Sequence, residues 1–355
     1  RVTSQARPRA SMAASKLRAF PIMLGLLLLP AVAGWHGLGR SALSRLPASG
    51  VAHGPRMMYS DSRPTIEYME FLMDGGVVVE LDDGPSLIIG GGKLGTALLG
   101  PMGFDGDRLL KRGEPIPVDF VGAIHVCVPA DELQNVIDAC PPDRYDDLVF
   151  WQSPTIEPVL KRCAMIENTQ VCSYFHIDAN ANLVDVTTDI NPEGLTSTMG
   201  KWGFAVIQRL ARAELSCKML NKRDYKRAAI ERHIWDCAFH VIGAVQGHMS
   251  GKPMTVGDVE KYSFNELEPM IRQLGYTART YLTAAPPTGL EERLSAYARA
   301  IASTPCELKD WKWRNGFWYD YSQIALSRKF DDPMELHTEY VQYAIDKGLI
   351  TPPTP

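Results

Sequence analysis

Gly90, Gly92 and Gly95 stand at the G-x-G-x-x-G spacing, directly after the apolar run Leu87-Ile88-Ile89. In that pattern the first glycine permits a tight strand-to-helix turn, the second lets a pyrophosphate approach the backbone, and the third lets the helix pack closely on the strand. The N–H groups and the positive end of the following helix then hold the phosphates. The other reading is a glycine-rich surface turn; strand and helix signals on either side favour the phosphate cradle. Arg108 to Lys111 reads as a second strand, ending at Lys111-Arg112 before Gly113. A basic group there accommodates the 2′-phosphate of NADP, and an acid the ribose hydroxyls of NAD. Lys111 and Arg112 therefore point to NADP(H) and Glu114 to NAD(H), while a solvated turn of mixed charge accounts for all three about equally.

The elements that must carry such a turn follow in order. Ile124 to Val128 is the next strand, followed by Pro129 and an amphipathic helix from Asp131 to Ala139, with Leu133, Val136 and Ile137 on one face. Asp147 to Trp151 repeats the strand and Ile156 to Cys163 the helix; Val171 to Phe175 and Leu183 to Val186 are late strands. Alternating strands and helices predict a parallel sheet that binds ligands beyond its strand ends, where Gln152, Ser153 and Thr155 lie. After Leu195 the strand signals fade. Helices are predicted over 199–214, 231–248, 255–274, 290–303, 315–328 and 334–346, with a basic segment from Lys218 to Arg227. The expected fold class is α/β plus α: a Rossmann-like domain over 84–215, an all-helical domain over 216–350 and a tail over 351–355. An extension at 61–83, with a short helix at 66–73, has no evident role.

The first 60 residues differ in kind. They hold eight of the chain's 37 basic residues and none of its 41 acidic ones, so the part from Asp61 onward carries −12. That charge disfavours sequence-independent nucleic-acid binding, which needs Lys and Arg to neutralise phosphates. From Met12, Lys16 and Arg18 precede the apolar run Pro21 to Pro30 and the small residues Ala31-Val32-Ala33, a signal-peptide pattern too short to span a bilayer. Gly34 to Arg56 is Ser-, Gly-, Ala- and Arg-rich and acid-free, which is transit-peptide chemistry. Together they resemble bipartite leaders that send proteins into plastids of secondary origin; simple secretion is the alternative. The expectation is a removable leader over 1–60 and no membrane span in the mature chain. Seven cysteines, an odd number with no CxxC pair and no His/Cys zinc spacing, read as reduced thiols with no metal site.

This order of elements resembles the ketopantoate reductase family and its 6-phosphogluconate dehydrogenase-like relatives. The resemblance rests on Gly90-x-Gly92-x-x-Gly95, the strand and loop at 124–129, the strand and rim at 147–153, the helix at 232–247 and Asn315-Gly316. It implies NADP(H)-dependent reduction of a small 2-oxo acid in a cleft between the two domains, with a homodimer as a compatible assembly. The family's substrate helix carries a lysine and then two asparagines at successive intervals of four, all on one stripe. Arg232, Asp236 and His240 occupy those positions here. Arg232 keeps its charge and suits a substrate carboxylate, but donates a proton poorly. His240 is then the candidate for the transferred proton. An Arg232–Asp236 ion pair with a hydrogen-bonded core His240 is the equally weighted alternative.

The family's lysine after the corresponding strand is replaced by Pro129, and the asparagine of the next rim by Ser153, while Asp310 stands near the place of a substrate-binding glutamate. Loss of the lysine raises a second function, a nucleotide-binding pseudoenzyme whose helical domain binds a protein partner. The cluster Trp311, Trp313, Phe317, Trp318, Tyr319 and Tyr321 fits a cleft or a subunit contact, and more readily a core.

Overall fold

The computed structural model describes residues 84–152, 155–177 and 182–353. The leader, the extension with its helix at 66–73, and Ser153 lie outside the described residues. Three-residue strands β1 (Leu87–Ile89), β2 (Arg108–Leu110), β3 (Ile124–Val126) and β4 (Leu148–Phe150), with β5 (Thr169–Cys172), form the parallel part of one sheet in the order β2-β1-β3-β4-β5. Helices α1 (Lys93–Leu99), α2 (Leu133–Ala139) and α3 (Glu157–Arg162) connect them. Both sheet faces are apolar because both are covered. Leu87, Ile124, Leu148 and Phe150 pack with Leu133, Ile137 and Leu160 on one side. Ile88, Val149 and Val171 pack with Leu98, Trp202, Val206 and Leu210 on the other.

The sheet continues where the sequence signals fade. β8 (Ser197–Met199) joins β5 antiparallel, and β9 (Lys218–Met219) joins β8 in parallel; β6 (His176–Ile177) and β7 (Leu183–Val184) form a separate small hairpin. The helix expected from Met199 begins only at Gly203, as α4 (Gly203–Arg212). β8 is fully buried yet reads Ser-Thr-Met, because Thr198 donates its hydroxyl to the Gln170 carbonyl at 3.0 Å. Two hydroxyl side chains in a row, with only Met199 in the apolar core, leave no apolar alternation to read. The last strand ends four residues beyond the boundary expected at 215.

The helical part is organised on α5 (Lys222–Ser250), 29 residues long and roughly 43 Å from end to end. It starts nine residues before the expected Glu231. The Asn221 side chain caps it by accepting the Asp224 N–H at 2.9 Å, and the basic first turns are good helix formers without an apolar stripe. Gly251, at φ +68°, ends it. α6 (Val256–Tyr262), α7 (Phe264–Tyr281), α8 (Leu290–Ala300), α9 (Asn315–Ser327) and α10 (Glu335–Asp346) complete the set. The segment expected as one helix over 255–274 is two, divided at Ser263. Ile234, Phe239 and Ile242 of α5 pack with Leu267, Ile271, Trp318 and Val341 in the largest core cluster.

Polar ties fix the parts together. Arg209 of α4 grips Asp107 with two hydrogen bonds of 2.7 and 2.8 Å and donates to the Leu98 carbonyl, while Asp107 accepts the Ser86 and Phe104 N–H groups. Trp313 packs into the sheet-side core and donates its indole N–H to Asp131 at 2.6 Å, so part of the aromatic cluster is core that joins the two parts. The seven cysteines are free thiols. Among the described residues no helix is long and apolar enough to cross a membrane.

His125, His233 and His337 are fully buried, and burial pushes each imidazole down to about 3; buried His240 falls to about 4. Their folded values lie below the ordinary one near 6.5, so the stability they contribute is complete above that pH and is lost as pH falls toward the folded values. Going from pH 7 to 5.5 costs about 1 kcal/mol for each of them. Denaturant unfolding at these two pH values checks this; equal stability at both contradicts the buried neutral histidines.

Candidate functional site

The parallel register aligns Ile89, Val126 and Phe150, so the chain leaves β1, β3 and β4 on one rim of the sheet. Gly90 turns there with φ +109°, and a Cβ on it would sit 2.6 Å from the Cys127 carbonyl oxygen. A Cβ on Gly95 would sit 1.9 Å from the Gly90 carbonyl oxygen, so the helix can approach the strand only with glycine at that point. Gly92 differs. It is the N-cap of α1, no side chain caps it, and a Cβ there would meet none of the described residues within 4 Å. Two glycines are thus required by packing, and the third leaves open space above the first N–H groups of the helix, which have no intrahelical acceptor.

Beyond β2, the Glu114 carboxylate folds back onto its own turn. It accepts the Lys111 N–H at 3.0 Å and pairs with Arg108, and these hydrogen bonds hold it below the usual carboxylate range. Lys111 and Arg112 are exposed at the strand end. The Arg112 guanidinium, 91% exposed, lies 3.5 Å from Glu132 of the segment after β3. Because β1 lies between β2 and β3, that reach passes across the rim where the glycine turn begins.

Arg232, Asp236 and His240 lie on one stripe of α5, as their spacing requires, and each already has partners. Arg232 Nε is 3.4 Å from Asp236 and a second nitrogen donates to the Tyr297 hydroxyl. Its guanidinium carbon sits 4.8, 5.2 and 5.0 Å from the ring centres of Tyr174, Trp235 and Tyr297, an aromatic cage for the cation. Asp236, 2% exposed, lies 3.5 Å from a second guanidinium, that of Arg314. Burial opposes its charge, but the two arginines and His240 outweigh burial and keep the carboxyl below its ordinary value. Arg314 also lies 3.5 Å from Asp310, which sits in the left-handed region at φ +52°. Asp310 therefore joins the stripe through Arg314.

His240 accepts the Glu307 N–H on Nδ1 at 3.0 Å, which leaves the proton on Nε2. With burial lowering its pKa to about 4, the ring is neutral near pH 7. A neutral ring with its proton on Nε2 can offer a hydrogen bond there but carries no positive charge near pH 7. The equally weighted alternative, an Arg232–Asp236 ion pair with a hydrogen-bonded His240, describes the geometry observed.

Gln152 links the stripe to the rim. Its amide donates to the Val126 and Val128 carbonyls at 2.8 and 2.9 Å, and it lines, with Arg232, Cys172 and Ser173, a cavity of about 20 Å³. That is room for roughly one water molecule. Sequence reasoning missed Gln152 as a tie, and Arg314, Tyr174 and Tyr297 as partners of the stripe. Arg314 had a signal, the i, i+4 spacing from Asp310; the two tyrosines, distant in sequence, had none. Asn315 and Gly316 are packing residues: Asn315 lies 2.9 Å from His337, and a Cβ on Gly316 would strike the Trp311 ring.

Two substitutions test this construction. Gly95→Ala forces a Cβ onto a backbone carbonyl and is expected to cost about 3 kcal/mol or more. Asp236→Ala leaves two guanidinium groups without their shared anion, at about 3–5 kcal/mol. Urea unfolding measures both; a cost under about 0.5 kcal/mol for either variant contradicts the geometry given for it.

No sequence-family model and no curated protein sequence matches the chain. Solved structures do match in shape. A ternary structure of D-mandelate dehydrogenase with NADH and anilino(oxo)acetate aligns at 10% identity with a TM-score of 0.50, over 74% of this chain and 99% of that one. A PanE/ApbA family ketopantoate reductase from Ralstonia eutropha JMP134 aligns at 11% identity with a TM-score of 0.52, over the same shares. At such identity the likeness is one of fold: like these structures, the chain has a Rossmann-like sheet followed by an all-helical region.

Proposed function

We propose that the chain binds NADP(H) on the glycine turn and reduces a small 2-oxo acid with it. The observation that carries this reading is the turn: Gly90 and Gly95 are fixed by close contacts, while Gly92 leaves the first N–H groups of α1 open. Bound there, the reduced nicotinamide would supply the hydride. Gly92 lets the pyrophosphate approach the backbone, and exposed Lys111 and Arg112 pair with a 2′-phosphate. Glu114 is engaged with Arg108 and the Lys111 N–H, which leans the choice toward NADP(H) over NAD(H). Arg232 anchors the substrate carboxylate by exchanging one anion for another, and Arg314 retains Asp236 when it does. His240 donates a hydrogen bond from Nε2, and the proton that completes reduction comes from water. Ser153 and Asp310 are the remaining substrate-side candidates.

A second reading, a nucleotide-binding protein without turnover, is favoured by one observation. Every stripe residue is already satisfied inside the protein, and the cavity beside Arg232 holds about one water. Titration of the full chain with NADPH and NADH, followed by single-turnover oxidation against a panel of 2-oxo acids, separates the two. The reductase reading expects tighter binding of NADPH than NADH and oxidation by at least one acid, abolished in Arg232→Ala. Gly92→Ala is expected to weaken NADPH binding about tenfold, roughly 1.4 kcal/mol, with little change in melting. Binding without oxidation by any acid supports the second reading, and binding of neither cofactor contradicts both.

Residues 12–60 are proposed to direct the chain to a plastid through the secretory route. A fluorescent reporter fused to them is expected inside the organelle; its appearance in the medium contradicts the proposal.

A further inference from the structure

A cleft of about 240 Å³ opens between the sheet part and the first turns of α5. Its floor is apolar and comes from four separate segments: Ile166 after α3, Met199 of β8, Ile230 of α5 and Leu282 after α7. Its rim carries the ammonium groups of Lys161, Lys222 and Lys226. Glu157 answers two of them, 2.6 Å from Lys161 and 3.0 Å from Lys226. Lys222 pairs with Glu167, whose side chain is 72% exposed, so that partner is easily exchanged for another anion. Three cations against two carboxylates leave the rim positive above an apolar floor.

We propose that this cleft is a binding site for a single-chain amphipathic anion, a medium-chain carboxylate whose tail lies on the four apolar residues and whose head group meets Lys222. The cleft has about twelve times the volume of the one-water cavity beside Arg232, room for a tail of about seven carbons. The tail ends within the cleft. Gln170, Tyr225 and Ala229 stand between it and the small cavity beside Arg232, which has no room for it. The site shares no residue with the glycine turn, and shares Gln170, Tyr225 and Ala229 with the small cavity beside Arg232, so octanoate binding is read apart from cofactor binding and oxo-acid turnover.

The test is calorimetric titration of the full chain with sodium hexanoate, octanoate and decanoate, each below its micelle concentration, with octyltrimethylammonium and 1-octanol as controls. Octanoate is expected to bind about tenfold tighter than hexanoate, since each buried methylene contributes roughly a three- to fourfold gain. The cation and the alcohol are expected to bind at least tenfold more weakly than octanoate. Ile230→Lys fills the floor with a charged chain and Lys222→Glu reverses the head-group charge; each is expected to weaken octanoate at least tenfold, with the exposed Lys222→Glu melting within about 2 °C of the parent. Saturating NADPH is expected to leave octanoate affinity unchanged. No saturable binding at millimolar octanoate overturns the proposal. Undiminished binding by Ile230→Lys overturns it too, as does equal binding of the cationic analogue.

Discussion

Asp236 is a carboxylate taken almost wholly out of water and held between Arg232 and Arg314. A buried charge of this kind is tolerated only while its partners stay, because removing one leaves the other uncompensated. The pairings tie the middle of α5 to the segment before α9, and through the Arg232–Tyr297 contact to α8 as well. Arg314 extends the chain to the strained Asp310. The helical part is therefore locked at the middle of α5. Any ligand that engages Arg232 has to replace an anion with an anion, which makes a carboxylate the natural occupant and an uncharged carbonyl compound a poor one.

The glycine turn shows the opposite state. Gly90 and Gly95 are spent on bringing α1 against β1, and none of the described residues fills the space at Gly92. Glu114 is engaged within its own turn, while Lys111 and Arg112 remain in solvent. One half of the candidate site is thus prepared and open, and the other is closed on itself. That contrast unites the two functional readings: both use the glycine turn, and they differ in whether the Arg232 pairing opens for a substrate.

The parallel strands and the glycine turn were legible because burial on both faces leaves short apolar runs and because two of the three glycines have no substitute. The helices from 256 onward were legible through their periodicity, apart from the break at Ser263. β8 and β9 were not, since a buried Ser-Thr-Met strand with two hydroxyl side chains carries no apolar alternation. The first turns of α5 were missed because their charged residues have no apolar stripe, although Asn221 was there as a cap. At the stripe, spacing placed Arg232, Asp236 and His240 on one face but did not reveal what closes over them. Tyr174, Tyr297 and Arg314 come from distant segments, and only the folded chain brings them to Arg232.

The central claim is that the open glycine turn, and not the closed stripe, is where a dinucleotide first engages the protein. Hydrogen exchange of the full chain with and without NADPH tests it most directly, because it reads the backbone N–H groups that would meet the phosphates. The account predicts slowed exchange over residues 90–98 and 111–114, with residues 232–240 of α5 unchanged until an oxo acid is added. Unaltered exchange at the turn, or protection confined to α5, would contradict it.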